Sequence, residues 1–274
     1  MLFRFACVIV SMAALLATPG DAVSQDLLAG VDLNSPDMST PEMTRADVDA
    51  LLRAARRDGA DQRSADLQAK RLSKLDLSGL DFSGSNLRLA KFNRANLKGA
   101  RLDRTILNQA WLIEADLTSA SLAKATLLAT QMQRAKLGGA DLSGARIAAD
   151  LSGASLIGAN LSGADFSADM RNQSMGLMRG VLKSADLRDA NLSGANLARA
   201  DLQFAKLQNA NLTNCNLTRA DLSGADLSEA HLDGADFTDA DLDGAMLPRP
   251  GALHDARNLD KARNLDKARR PLIR

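Results

Sequence analysis

A large apolar residue returns at every fifth position over most of this chain. The series runs from Leu67 through Leu72, Leu77 and Phe82 to Ile147, then slips by one residue to Leu151 and continues to Phe166. It resumes at Leu182 and reaches Leu247 without a miss, giving 35 central positions. Two residues before most centres stands a small residue, usually Ala, often with Asp or Asn between, as in "ANLSGANLARADL" from Ala190. The step from Ile147 to Leu151 is four residues and the step from Phe166 to Leu182 is sixteen. The deletion and the insertion cancel, so late and early repeats share one phase.

This period fits neither regular element. Five residues of α-helix advance about 500°, which leaves successive leucines roughly 140° apart and draws no stripe. On a strand an odd period sends successive leucines to opposite faces. A backbone that turns once per five residues resolves both conflicts. Leu and the Ala two positions earlier then share the inward face, and the intervening Asp or Asn points outward, where its side chain bonds nearby backbone. Ser-Gly pairs at 78–79, 143–144, 152–153, 162–163, 193–194 and 223–224 fall where such a corner belongs.

The motif A-[DN]-L-x-x, as in "ADLRD" (185–189), "ANLSG" (190–194) and "ADLSG" (220–224), resembles the pentapeptide-repeat family over about residues 65–247. The resemblance implies an all-β solenoid, a right-handed quadrilateral β-helix with four pentapeptides per coil. That amounts to about nine coils in a rod about 40 Å long, at ~4.8 Å between stacked strands. Lys70, Leu75 and Leu80 stand where the small residue belongs, which predicts an irregular first coil. Stability should accrue coil by coil, each buried Leu contributing roughly 1.5–3 kcal/mol.

Open coils invite edge-to-edge pairing, and with it an end-to-end homodimer. Both flanks read as short helical caps against that hazard. Residues 25–43 read as an exposed leader with two prolines. "STPEMTRADVDALLRAARRDG" then predicts a helix capped by Thr44 with Asp47 three residues on, Met43 and Val48 packing across the cap, and Gly59 ending it. Val48, Leu51, Leu52 and Ala55 supply its apolar face, laid over the first coil. After "PRPG" (248–251), the six-residue duplication in "ARNLDKARNLDKARR" reads as a helical cap, with a basic tail as the competing assignment for 248–274.

Composition sharpens the core. Apolar residues make up 46% but aromatics only 3%, with no Tyr and a single Trp (Trp111), so the interior must consist of thin aliphatic layers. A formal net charge of +1 gives no global pull toward nucleic acid or an anionic membrane. Residues 1–24 read as a cleaved secretory signal, with an uncleaved amino-terminal anchor as the competing assignment: Arg4, an apolar run from Phe5 to Ala17, then Pro19, Gly20 and "AVS" ending at Ser24. The run is shorter than the ~20 residues that span a bilayer, so no stable span remains after cleavage and a periplasmic or secreted destination follows. Cys7 leaves with the signal, and Cys215 alone cannot form an intramolecular disulfide.

Candidate chemistry is sparse. His231 takes an outward position and His254 lies beyond the repeats; no His/Cys/Asp cluster has metal-ligand spacing, and no glycine-rich phosphate loop follows a strand. Cys215 replaces Ala as a small buried filler. The expectation is a non-catalytic chain without cofactor. Three features point to a protein partner instead. Residues 65–140 carry 12 basic and 6 acidic side chains, residues 141–247 carry 8 and 15, so the rod is a charge dipole. Asp221, Asp226, Glu229, Asp233, Asp236, Asp239, Asp241 and Asp243 form an acidic stretch without Lys or Arg, read either as a site for a basic partner or as outward repeat positions. The break at 167–181 carries Met170, Arg171, Met175, Met178 and Arg179 and reads as a binding loop on a rigid scaffold or as a methionine plug in the wall. An exported envelope scaffold is the leading assignment. A DNA-mimicking, gyrase-protecting rod and a secreted effector are the alternatives; the export signal and the mixed charge weigh against the first of these.

Overall fold

The computed structural model describes residues 31–57, 65–167 and 178–270. The architecture below belongs to the unit Leu33–Arg274. Its repeats wind into four walls, each a stack of single-residue parallel β-bridges. The first wall climbs from Asp66 through Asn86, Ile106, Thr126, Arg146, Asp165, Asn196 and Asn216 to Asp236. The second starts at Arg71, the third at Asp76 and the fourth at Asp81, and partners lie four pentapeptides apart wherever the repeat is unbroken. Every central residue from Leu67 to Leu247 is fully buried, and the alanines two before them lie beside them in one continuous core.

A pentapeptide that carries Asp or Asn before its leucine can give every backbone N–H an acceptor, which explains that composition. In Asp221–Ala225, the Asp221 N–H donates to Ala200 O of the preceding coil at 3.0 Å, and Leu222 and Gly224 donate forward to Asp241 O and Asp243 O at 2.9 and 2.8 Å. Ala225 closes the corner by donating to Leu222 O at 2.9 Å. The remaining N–H, on Ser223, has no backbone acceptor and donates to Asp221 Oδ1 at 3.0 Å. Asp or Asn before the leucine is therefore part of the corner, and the same bond recurs at Ser78–Asp76, Thr213–Asn211 and Thr238–Asp236. The second corner residue has positive φ in the full-length corners. Glycine suits it, yet Lys74, Arg94, Phe204 and Arg219 hold it at 62°, 57°, 56° and 59°, a local cost of about 1–2 kcal/mol each that the inter-coil bonds offset.

At the amino-terminal end, α1 (Pro36–Ser39) and α2 (Arg45–Arg57) precede the first coil. The predicted cap forms: Thr44 Oγ1 and Thr44 N–H both donate to Asp47 Oδ2, at 2.7 and 2.9 Å. Val48 and Leu52 join the solenoid core and Ala55 and Met43 pack on it, but Leu51 is 42% exposed because it falls off that face. Gly59 lies outside the described residues. The described part of the leader is only partly exposed: Asp32, Asn34, Pro36, Asp37, Thr40 and Glu42 face solvent, but its middle packs on the rod. Met38 and Ser39 are buried, Glu42 N–H donates to Arg71 O at 3.0 Å, and Asp37 pairs with Lys91. The segment straps the second wall, since Asn93 also donates to Met38 O at 3.2 Å. The first coil is regular despite Lys70, Leu75 and Leu80. At an end coil the inward space is open, so Leu75 and Leu80 pack into the core beside Val48 and Leu52, and Lys70 turns to Glu42 at 3.1 Å.

The carboxy-terminal cap is not α-helical. "ARNLDK" adds a last partial rung in six-residue steps: Arg257, Arg263 and Arg269 bridge Asp236, Asp241 and Met246 on the first three walls. Asn258 and Asn264 supply the positive φ of each corner, and the 3₁₀ turns Leu259–Lys261 and Leu265–Lys267 take up the sixth residue. Good helix formers yield here because Leu259, Leu265, Ala262 and Ala268 gain burial against the open coil.

Candidate functional site

Both departures from the repeat occur at one corner, between the first and second walls. After Ile147 the corner loses a residue, so Gln131 pairs with Asp150 one position earlier than a regular coil would have it. Ala148 and Ala149 are buried in the tightened turn. One coil later Asp150 pairs with Val181, eleven positions beyond its regular partner. The walls stay in register because the base is pinned. Ser167 N–H still bonds Asp165 Oδ1 at 3.0 Å, and Gly180 N–H donates to Phe166 O at 2.9 Å, replacing the usual corner bond. Gly180 and Val181, expected in the loop, therefore belong to the coil. Gly180 must be glycine: a Cβ there would meet Phe166 Cδ1 and Cβ at 2.8 and 2.9 Å.

Of the loop residues singled out from the sequence, Met170, Arg171 and Met175 lie outside the described residues. Met178 is partly exposed at the base. Arg179 turns toward the rod, donating to Arg199 O and pairing with Asp201 Oδ2, both at 3.3 Å. Below it, the same corner carries Arg199, Arg219 and Asp239, and with Arg263 of the cap these residues line an open groove of about 380 Å³. Sequence reading missed this groove, although Arg199 and Arg219 stand four pentapeptides apart and a count by coils would have paired them.

The acidic stretch is dispersed around the rod. Asp221 and Asp241 stand on the second wall, Asp226 on the third and Asp236 on the first, while Glu229, Asp233, Asp239 and Asp243 occupy corners. Many are already engaged. Asp241 meets Arg263 at 3.3 Å and Asn264 at 2.8 Å, Asp239 meets Arg219 at 3.2 Å, and Glu229 meets Arg249 at 3.8 Å. Burial raises the Asp221 pKa, but bonds from Ser223 and Gln203 outweigh it and hold the carboxyl below its usual range. Thr238 does the same for Asp236, and Arg94 for Glu114, which also meets Arg134 at 2.7 Å. Carboxyls held low in the folded state stabilise it above the unfolded value, and that contribution is lost as pH falls through the folded value. Thermal melting followed by circular dichroism is expected to hold steady down to about pH 5 and to fall below about pH 4.

Cys215 is buried, its Sγ donates to Leu192 O at 2.9 Å, and burial pushes its pKa up to about 12. A thiol this protonated is a poor nucleophile. Iodoacetamide at pH 8 is expected to leave the folded chain unmodified and to label it in denaturant, as mass spectrometry would record. Among the described residues no group of three or more His, Cys, Asp or Glu is placed to hold a metal ion.

The family described as "Pentapeptide repeats" matches residues 71–109, 112–147, 148–168, 181–214 and 215–249, in eight copies. No curated protein matches the chain. Among solved structures, the chain is 31% identical to HetL, a pentapeptide repeat protein involved in heterocyst differentiation regulation from the cyanobacterium Nostoc sp. strain PCC 7120. That match covers 78% of this chain and 92% of HetL, with a TM-score of 0.44. QnrB1, a plasmid-mediated fluoroquinolone resistance protein, is 21% identical over 75% of this chain and 84% of its own, with a TM-score of 0.36. A pentapeptide repeat protein from the Arabidopsis thaliana thylakoid lumen is 24% identical over 66% and 72%, with a TM-score of 0.22. With five-residue corners, four bridged walls and a family match over more than half its length, the chain belongs to the pentapeptide-repeat family.

Proposed function

We propose that this protein is an exported, non-catalytic solenoid that binds a protein partner in the bacterial envelope. The observation that carries the reading is the insertion between Ser167 and Met178. The walls remain in register on both sides of it, so the extra chain adds no rung to the stack. A segment anchored on a rigid scaffold suits recognition. The rest of the described surface supports binding over catalysis: many of its carboxylates are engaged in corners and ion pairs, and both histidines are exposed at the late end of the rod. Among the described residues, no helix is long and apolar enough to cross a membrane.

Fractionation of expressing cells tests the export. The mature chain is expected in the periplasm or medium, with amino-terminal sequencing beginning near Gln25. A full-length cytoplasmic chain that protects gyrase in a supercoiling assay would replace this reading with the DNA-mimic one.

A further inference from the structure

We infer that the arginine groove below the insertion is a docking site for an acidic peptide segment of the partner, with Arg199 as its central contact. The inference rests on the protein-binding reading above. Four of the five lining residues are arginines, at Arg179, Arg199, Arg219 and Arg263. Three have carboxylates of their own: Arg179 meets Asp201 at 3.3 Å, Arg219 meets Asp239 at 3.2 Å, and Arg263 meets Asp241 at 3.3 Å. Arg199 makes no ion pair among the described residues. It stands one coil from Arg219 and beneath Arg179, whose guanidinium bonds the Arg199 carbonyl at 3.3 Å.

Like charges stacked at coil spacing repel one another, and the repulsion is strongest at the member without a counter-charge. The backbone makes the placement more demanding still, because Arg199 holds φ at 63° in a corner where Gly or Asn would sit without strain. An incoming carboxylate relieves both neighbours at once, and a guanidinium recognises it through paired N–H donors. The groove is open along the rod and begins at Arg179, where the chain rejoins the wall. The groove runs over successive levels of the rod, so an extended chain can set one carboxylate against Arg199 while its neighbouring residues follow the groove.

The test uses the whole mature chain and fluorescein-labelled hexaglutamate, with hexaserine as the neutral probe and inorganic phosphate as competitor. Anisotropy should report hexaglutamate binding that weakens with salt and falls about tenfold in Arg199→Asn, the loss expected for one charge-assisted contact. Arg104→Asn is the matched control: it removes the same charge from a positive-φ position (56°) at a different corner, and should bind as the parent does. Equal losses in both variants would reveal only general attraction and overturn the site, as would no binding of hexaglutamate. Phosphate binding without peptide binding would reassign the groove to a small oxyanion and overturn the peptide assignment. A cytoplasmic chain that still binds hexaglutamate through Arg199 would sink the export reading while leaving the groove standing.

Discussion

Leu202→Asp is expected to melt several coils of the rod. The Leu202 side chain is fully buried on the second wall, with Leu182 and Leu222 one coil away on either side. Nothing in that aliphatic column can pair a carboxylate, so the variant must either carry an unpaired charge in the core or protonate it against the solvent. The cost is at least about 4 kcal/mol, in the range reserved for buried charges without partners. In a solenoid the loss also spreads to neighbouring rungs, because each coil is stabilised mainly by the next. The midpoint of thermal unfolding should fall on the order of 10 °C. Limited proteolysis should open new sites near residues 195–225. Unchanged melting would contradict the inward assignment of the repeat leucines.

Gly180→Ala should be nearly as informative and more selective. Alanine is the ordinary residue at this place in the repeat, yet here its Cβ would lie 2.8 Å from the Phe166 ring and 3.2 Å from Ile147 O. The conflict arises because Gly180 closes directly on Phe166, whose own Cβ would lie 2.9 Å from the added atom. Overpacking of a fully buried ring typically costs about 1–3 kcal/mol, since neither ring nor backbone has space to move. Phe166→Leu alone should also destabilise, by opening a small void. Leucine keeps the Cβ that lies 2.9 Å away and leaves Ile147 O at 3.2 Å, so the double variant should regain only the ring's share of the Gly180→Ala loss. A double-mutant cycle by thermal or denaturant melting measures that coupling. Strict additivity would mean that the two residues do not compete for one space.

Much of the molecule is legible in its sequence. The inward leucines, the outward Asp and Asn and the cap between Thr44 and Asp47 all follow from interactions within a few residues, where type and spacing carry the signal. The misreadings share a different origin. Leu51, Leu75 and Leu80, the strap at Met38 and the 3₁₀ rungs near Leu259 and Leu265 depend on what an end coil leaves uncovered. That is a property of the assembled rod. "ARNLDK" has the composition of a helix, but an exposed edge of backbone and leucine beside it favours a further rung.

The candidate site divides in the same way. Arg179 and the insertion announce themselves as a break in the pattern. Arg199 and Arg219 look like any other corner residues, and Arg263 sits in a segment with another repeat length. By itself the sequence determined the five-residue corner, because the side-chain and backbone bonds that close it lie within one pentapeptide. Only the tertiary structure decided which corners stand above one another. Stacking is set by how a shortened, a regular or a lengthened rung closes on its neighbour, and that closure depends on where extra chain can leave the rod without breaking the inter-coil bonds.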